Sequence, residues 1–279
     1  MTASKAESGS QVTKRPGRLV LLGHPVSHSL SPVFQNAALK ASNIPIVYEP
    51  LDVTRRELRS VLRQLKASNA AGNVTIPHKI AVHDLCDHLT DLAAKVGAVN
   101  TFWFDSKKLH GDNTDVGGFD AAARALLGGE TVGARVVVLG SGGAAAAILA
   151  AVEEWTDAVA TVVARHSDRA SALAKRFPDV ARTEKSVERA VRDATLIVNA
   201  TPVGQRDEEQ PLDVSLIPKS AAVLDLVYRR GGTPWVRAAR ENGIRAADGL
   251  PMLLEQGALA FQRWFGTEPD REAMRLALP

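Results

Sequence analysis

Three short polar clusters in this chain hold residue types that can bind a small polar molecule: SHSLSP at 27–32, NVTIPHK at 73–79 and GDNTD at 111–115. In the first, Ser31 before Pro32 reads as the N-cap and first residue of a helix, with Ser29 two residues earlier. Two hydroxyls at a helix N-terminus suit a carboxylate, although Ser31 could simply cap. In the second, the strand GNVTI runs to Ile76, which the next proline holds extended, and Pro77 opens a helix. Thr75 and Lys79 then stand at the carboxyl end of a strand and the first turn of a helix, where open α/β sheets bind ligands. A lysine there works against the helix dipole, which hints at a task beyond solvation. GDNTD puts Asp112 and Asp115 beside an amide and a hydroxyl in a Gly-led loop, which is either part of a cleft or an Asx-rich turn.

A fourth constellation lies further on. RVVVLGSGGAAAAILAAV reads as strand, glycine turn and helix, with Gly140, Gly142 and Ala145 at the three places of a dinucleotide-binding turn. The first glycine allows the tight turn, the second admits a pyrophosphate, and the small third residue lets helix pack on strand. About 20 residues on, an acidic residue would bind the ribose of NAD. Here VVARHSDR offers Arg165 and Arg169 instead. Two guanidiniums suit the extra 2′-phosphate of NADP, the alternative being a solvated basic helix start.

These clusters need elements to position them. From Arg18, RLVLLG, IVYEPLDV and GNVTI alternate with SPVFQNAALKAS, RRELRSVLRQLKAS and PHKIAVHDLCDHL, which predicts βα units about a mostly parallel sheet. In the third of these helices Val82, Leu85, Cys86 and Leu89 form one apolar stripe. A second α/β series runs from about residue 116 through RVVVLG, ATVVAR, ATLIVNA and AAVLDLVY, and MLLEQGALAFQRWF closes the chain as an amphipathic helix. The expected fold class is therefore α/β with two domains: a substrate-binding domain at 18–115 plus 250–279, and a Rossmann-like dinucleotide-binding domain at 116–249. Residues 1–17 read as a floppy polar tail, not a secretory signal.

Composition narrows the function. The chain has 279 residues, 45% hydrophobic and 5% aromatic, with a net charge of +3 spread along it, which argues against nucleic acid as a partner. Cys86 is the single cysteine, so no intrachain disulfide forms, no metal site is expected and a reducing, cytoplasmic setting fits. No apolar run reaches the roughly 18 residues of a membrane span.

In order along the chain, HSLSP, NVTIPHK, VGAVNT, GDNTD, LGSGGAA, NATPVG, DLVYRRGGTP and DGLPMLLEQGA resemble the shikimate dehydrogenase family, and the resemblance covers nearly everything from about residue 19. It implies NADPH-dependent reversible reduction of 3-dehydroshikimate to shikimate, in aromatic amino-acid biosynthesis. Carried onto this chain, it implies Lys79 and Asp115 as the catalytic pair. Ser29 and Ser31 would bind the substrate carboxylate, and Asn73, Thr75, Asn100, Tyr228 and Gln256 its other polar groups. Gly140, Ser141, Gly142, Gly143 and Ala144 would hold the pyrophosphate and Arg165 and Arg169 the 2′-phosphate. Thr201, Leu226 and Gly249 would line the nicotinamide end, and Asp91 matches a family position near the cofactor. The partners expected are a small molecule and, at most, a second copy of the chain in a homodimer.

The chain departs from the family at several places. Ala164-Arg165-His166 replaces the usual Asn-Arg-Thr, Val116 follows NTD where glycine is usual, and Pro251 follows DGL where glycine is usual. Ser31 stands where quinate-preferring relatives often have threonine, which leans towards shikimate. The rival readings are a quinate or aminoshikimate dehydrogenase and a non-catalytic NADP-binding regulator.

Overall fold

The computed structural model of the protein describes residues 15–206 and 208–278. Of the tail expected over 1–17, residues 1–14 lie outside the described residues, and Gly17 donates its N–H to Asn69 O at 3.1 Å. The chain divides into two compact units, one of residues 1–94, 98–113 and 257–278, the other mainly of 114–256 with 95–97. No described helix is long and apolar enough to cross a membrane.

The first unit is built from β1 (Arg18–Gly23), α1 (Ser31–Ala41), β2 (Tyr48–Asp52), α2 (Leu58–Ala67), β3 (Ala70–Val74), α3 (Lys79–His83), β4 (His88–Leu89), α4 (Asp91–Val96), β5 (Thr101–Asp105) and β6 (Lys108–Asp112). Its sheet runs β2-β1-β3-β5-β6-β4, parallel on the β1 side and antiparallel through the β5–β6 hairpin. The β1 residues Leu19 to Leu22 are buried on both faces, as befits a central parallel strand. In α2, Leu58, Leu62 and Leu65 recur on one side of the helix and enter the same core as Val20, Leu22, Phe102 and Phe104.

The second unit continues with α5 (Asp115–Leu127), β7 (Arg135–Leu139), α6 (Gly143–Val152), β8 (Val159–Val163), α7 (Ser167–Ala174), β9 (Ala181–Thr183), α8 (Val187–Val191), β10 (Leu196–Asn199), β11 (Ala222–Asp225), α9 (Pro234–Glu241) and β12 (Arg245–Ala247). Its sheet, β12-β11-β10-β7-β8-β9, is parallel throughout. The order reverses at β7, the topological switch point of a doubly wound sheet. Residues 145–152 of α6 are all buried, and the run of alanines supplies the small side chains that such a central helix needs to lie close to its neighbours. The chain closes with α10 (Leu250–Phe265) and α11 (Arg271–Leu276), and the unit boundary falls inside α10, between Gln256 and Gly257.

The fold class is α/β with two units, one carrying a mixed sheet and one a Rossmann-like parallel sheet. Three local expectations change. The helix expected over PHKIAVHDLCDHL is only the five residues of α3, after which the chain turns and His88–Leu89 pair with β6. Val82 nevertheless lies in the core, with Leu85, Cys86 and Leu89 packed against it, so the apolar spacing reported burial rather than helix length. Pro77 does not open that helix: β3 stops at Val74, the Ile76–Pro77 peptide is cis, and His78 precedes the first turn. Ser31 is already helical instead of capping, and its N–H is bound by Ser29 Oγ at 3.2 Å.

Candidate active site

In the first unit the polar residues gather where β1 and β3 end. Thr75 N donates to Leu22 O at 2.8 Å and His24 N to Ile76 O at 3.0 Å, so the turn that follows β3 is strapped to the end of β1. Lys79 is the first residue of α3 and is half-buried. Its carbonyl accepts the N–H of Val99 at 2.9 Å, and Asn100 O accepts the N–H of Val74 at 2.7 Å. VGAVNT is thereby stitched to NVTIPHK. The buried Asn73 completes the join, its Nδ2 donating to Asn100 O at 3.2 Å.

Tyr48 and Trp264 stand behind this cluster, and neither was among the expected site residues. Tyr48 donates its hydroxyl to Asn73 Oδ1 at 2.8 Å, and Trp264 Nε1 donates to Thr101 Oγ1 at 3.0 Å. The two rings lie 6.0 Å apart. Burial pushes the Tyr48 phenol well above its ordinary range, so it is a neutral donor that fixes the Asn73 amide. A lone tyrosine at the start of a strand carries no sequence signal for this role. Ser29 and Ser31 sit at the N-terminus of α1, Ser31 at 5% exposure. Asp91 is exposed at the start of α4, in this unit and not in the one with the glycine turn.

In the second unit Asp115 opens α5 and is 5% exposed. One turn on, a Cβ added to Gly118 would lie 2.8 Å from Gln256 Cβ and 2.9 Å from Met252 O. The glycine therefore brings α5 and α10 into close contact, so that Asp115 and Gln256 stand on adjoining helices. Gln256 is buried, with its Nε2 donating to Leu253 O at 2.7 Å. Tyr228 follows β11, partly buried.

The glycine turn has the shape that a pyrophosphate requires. Gly140 has φ +121°, and a Cβ there would lie 2.9 Å from Ala200 O, so only glycine fits. Gly142 precedes α6 in extended conformation, and a Cβ built on it meets nothing within 4 Å. Ser141, Gly143 and Ala144 are partly exposed around it, while Ala145 is fully buried. This leaves an open backbone surface at the N-terminus of a ten-residue helix. Arg165 and Arg169 flank the entry to α7, both exposed, with no hydrogen bond or ion pair to either among the described residues. A pair of unengaged guanidiniums beside the strand that neighbours the glycine turn fits a phosphate monoester. Thr201 and Leu226 follow β10 and β11, and Gly249 precedes α10.

The chain as a whole is similar to proteins of known family. Residues 21–102 match the family described as the shikimate dehydrogenase substrate binding domain, and 249–278 match the shikimate 5′-dehydrogenase C-terminal domain. A shikimate dehydrogenase (NADP(+)) from Chelativorans sp. strain BNC1 is 37% identical over 256 residues, covering 91% of this chain and 92% of the relative. The chain belongs to the shikimate dehydrogenase family. The crystal structure of shikimate dehydrogenase from Aquifex aeolicus superposes with a TM-score of 0.88 at 35% identity, covering 93% of this chain and 97% of that one. Shikimate 5-dehydrogenase from Thermus thermophilus, in complex with NADP(H) and shikimate, gives 0.84 at 38% identity over 94% and 99%.

Proposed function

We propose that this chain is an oxidoreductase that interconverts 3-dehydroshikimate and shikimate with NADP(H). The observation that carries the reading is the join of NVTIPHK to VGAVNT in the first unit, which sets Asn73, Thr75, Lys79 and Asn100 on one set of strand ends. Membership of a family whose curated relatives are NADP(+)-dependent supports the cofactor.

In this reading the main chain from Gly140 to Ala144 holds the pyrophosphate, Arg165 and Arg169 hold the 2′-phosphate, and Thr201, Leu226 and Gly249 border the nicotinamide. Asp91 is retained as a weaker cofactor contact. NADPH when bound supplies the hydride. Ser29 and Ser31 hydrogen-bond the substrate carboxylate, while Asn73, Thr75, Asn100, Tyr228 and Gln256 orient its hydroxyls. Lys79 donates a hydrogen bond and then a proton to the carbonyl oxygen as it becomes an alkoxide, with positive charge where negative charge develops. Asp115 is the second member of the proposed catalytic pair. The domains proposed for this are 18–115 with 250–279 for substrate and 116–249 for cofactor, whereas the compact units divide after residue 113 and after residue 256. The single, part-buried cysteine agrees with a cytoplasmic setting, and a homodimer is the assembly to be tested by light scattering.

Initial rates with shikimate and quinate, each against NADP and NAD, test the proposal. Shikimate with NADP should give the highest kcat/KM. A higher value with quinate would replace the substrate assignment, and no NADPH oxidation with 3-dehydroshikimate would favour the regulatory reading.

A further inference from the structure

A chain of buried polar side chains joins the carboxyl ends of β10 and β11 in the second unit, and none of the expectations above assigns it a task. Asn199 and Asp225 are register partners on these strands, and both are 0% exposed. Asn199 Nδ2 donates to Asp225 Oδ1 at 2.8 Å and to Val203 O at 3.2 Å. Asn199 Oδ1 accepts both the N–H of Thr201 at 3.0 Å and its hydroxyl at 2.6 Å. Asp225 Oδ1 also accepts the N–H of Val227 at 3.1 Å, and Asp225 Oδ2 accepts the hydroxyl of Thr233 at 2.7 Å.

The bonds end on the residues assigned to the nicotinamide. Thr201 is held through both its donors. Leu226 N donates to Asn199 O at 3.0 Å, and Gly249 N donates to Val227 O at 3.0 Å. A Cβ on Gly249 would lie 2.3 Å from Leu226 O, so the glycine is needed for that approach. Burying a carboxylate is costly, and a pair of apolar residues would pack two strands more cheaply. Burial pushes the Asp225 carboxyl above its ordinary range, the donors Thr233, Asn199 and Val227 pull it back, and the Asp248 carboxylate pushes it up. The device thus fixes main-chain direction at a cost in stability.

We infer that Asn199 and Asp225 are positioning residues for the nicotinamide end of the cofactor site, acting through Thr201, Leu226 and Gly249. The inference rests on the cofactor assignment proposed above. It separates the two ends of NADP: the adenosine end depends on the arginine pair and the glycine turn, the nicotinamide end on Asn199 and Asp225.

Asn199→Asp keeps the acceptor for Thr201 but sets a second carboxylate against Asp225. It should lower kcat by about tenfold or more at pH 8 and recover as falling pH lets the two carboxylates share a proton. The KM for shikimate should stay within about threefold, and affinity for 2′,5′-ADP, which lacks the nicotinamide, within about twofold. With 4-deuterated NADPH the isotope effect on kcat should rise, because hydride transfer slows. Thr233→Val, which removes one donor to Asp225, should show the same pattern more weakly. Asp225→Asn should keep more turnover than Asp225→Ala. A parallel loss of 2′,5′-ADP affinity, or an unchanged isotope effect and kcat in Asn199→Asp, would overturn the inference. If the parent binds NADP but turns over no substrate, the proposed function fails instead, and positioning is then read from loss of NADP affinity relative to 2′,5′-ADP.

Discussion

Arg263 on α10 donates Nη2 to Asp112 Oδ2 at 2.6 Å and lies over the ring of Trp103, 5.7 Å from its centroid. Asp112 is 4% exposed and also receives the hydroxyl of Thr90 at 2.6 Å and the N–H of Asn113 at 2.8 Å. The last strand of the first unit is thereby tied to the helix that closes it, three residues before Asp115.

Arg263→Met keeps the apolar stem and strands the carboxylate. Losing one partner of a fully buried pair costs about 3–5 kcal/mol. With the Arg263 side chain 31% exposed, the expected loss is about 2–3 kcal/mol. Chemical denaturation measures it, and a loss under about 0.5 kcal/mol would show that the pair does not hold the strand end.

Lys79→Ala should remove most turnover and change shikimate affinity much less, because the lost interaction strengthens as the alkoxide forms. Steady-state kinetics decides: turnover within about tenfold of the parent, about 1.4 kcal/mol, would remove Lys79 from the catalytic pair.

Cys86 should be inert in the folded protein. Burial, with a smaller push from Asp87, raises its thiol to about 12. At pH 8 the thiolate fraction is then about 10⁻⁴, so iodoacetamide should label it roughly a thousandfold more slowly than an ordinary thiol. Labelling at the rate of the unfolded chain would contradict the burial.

Asp248 gives a pH signature. Burial raises its carboxyl above the ordinary range, while the N–H of Leu250 and the charge of Arg240 draw it partly back. The native state therefore binds this proton more tightly than the unfolded chain does. That contribution is present at low pH and is lost as pH rises through the folded-state value. Asp248→Asn does not titrate and keeps an acceptor for Leu250, so its melting temperature relative to the parent should rise between about pH 3 and 7. A difference that stays constant over the range would refute the assignment.

The strand-forming runs RVVVLG and ATLIVNA, and the glycine turn between β7 and α6, were readable from the sequence because their signals are local. The β5–β6 hairpin was not anticipated, although TFWFD and KLHGD flank a short polar turn at Ser106 and Lys107, both at positive φ. The cis peptide before Pro77 was equally hidden, since a proline after a strand reads the same in either isomer. Asn199 and Asp225 lie inside the quoted runs NATPVG and DLVYRRGGTP, yet their pairing depends on two strands meeting in register, which one strand's pattern does not state.

The unit boundary inside α10 bears on how the protein is made. Most of the second unit is one continuous stretch, 114–256, whereas the first needs 257–278 as well as residues that precede it. As the ribosome extends the chain, the strands of the first unit emerge early but lack Arg263 and Trp264 for as long as the whole second unit takes to be synthesised. Asp112, Thr101 and the hydrophobic surface that α10 and α11 cover must wait, and that interval is when a nascent-chain chaperone would find the first unit open.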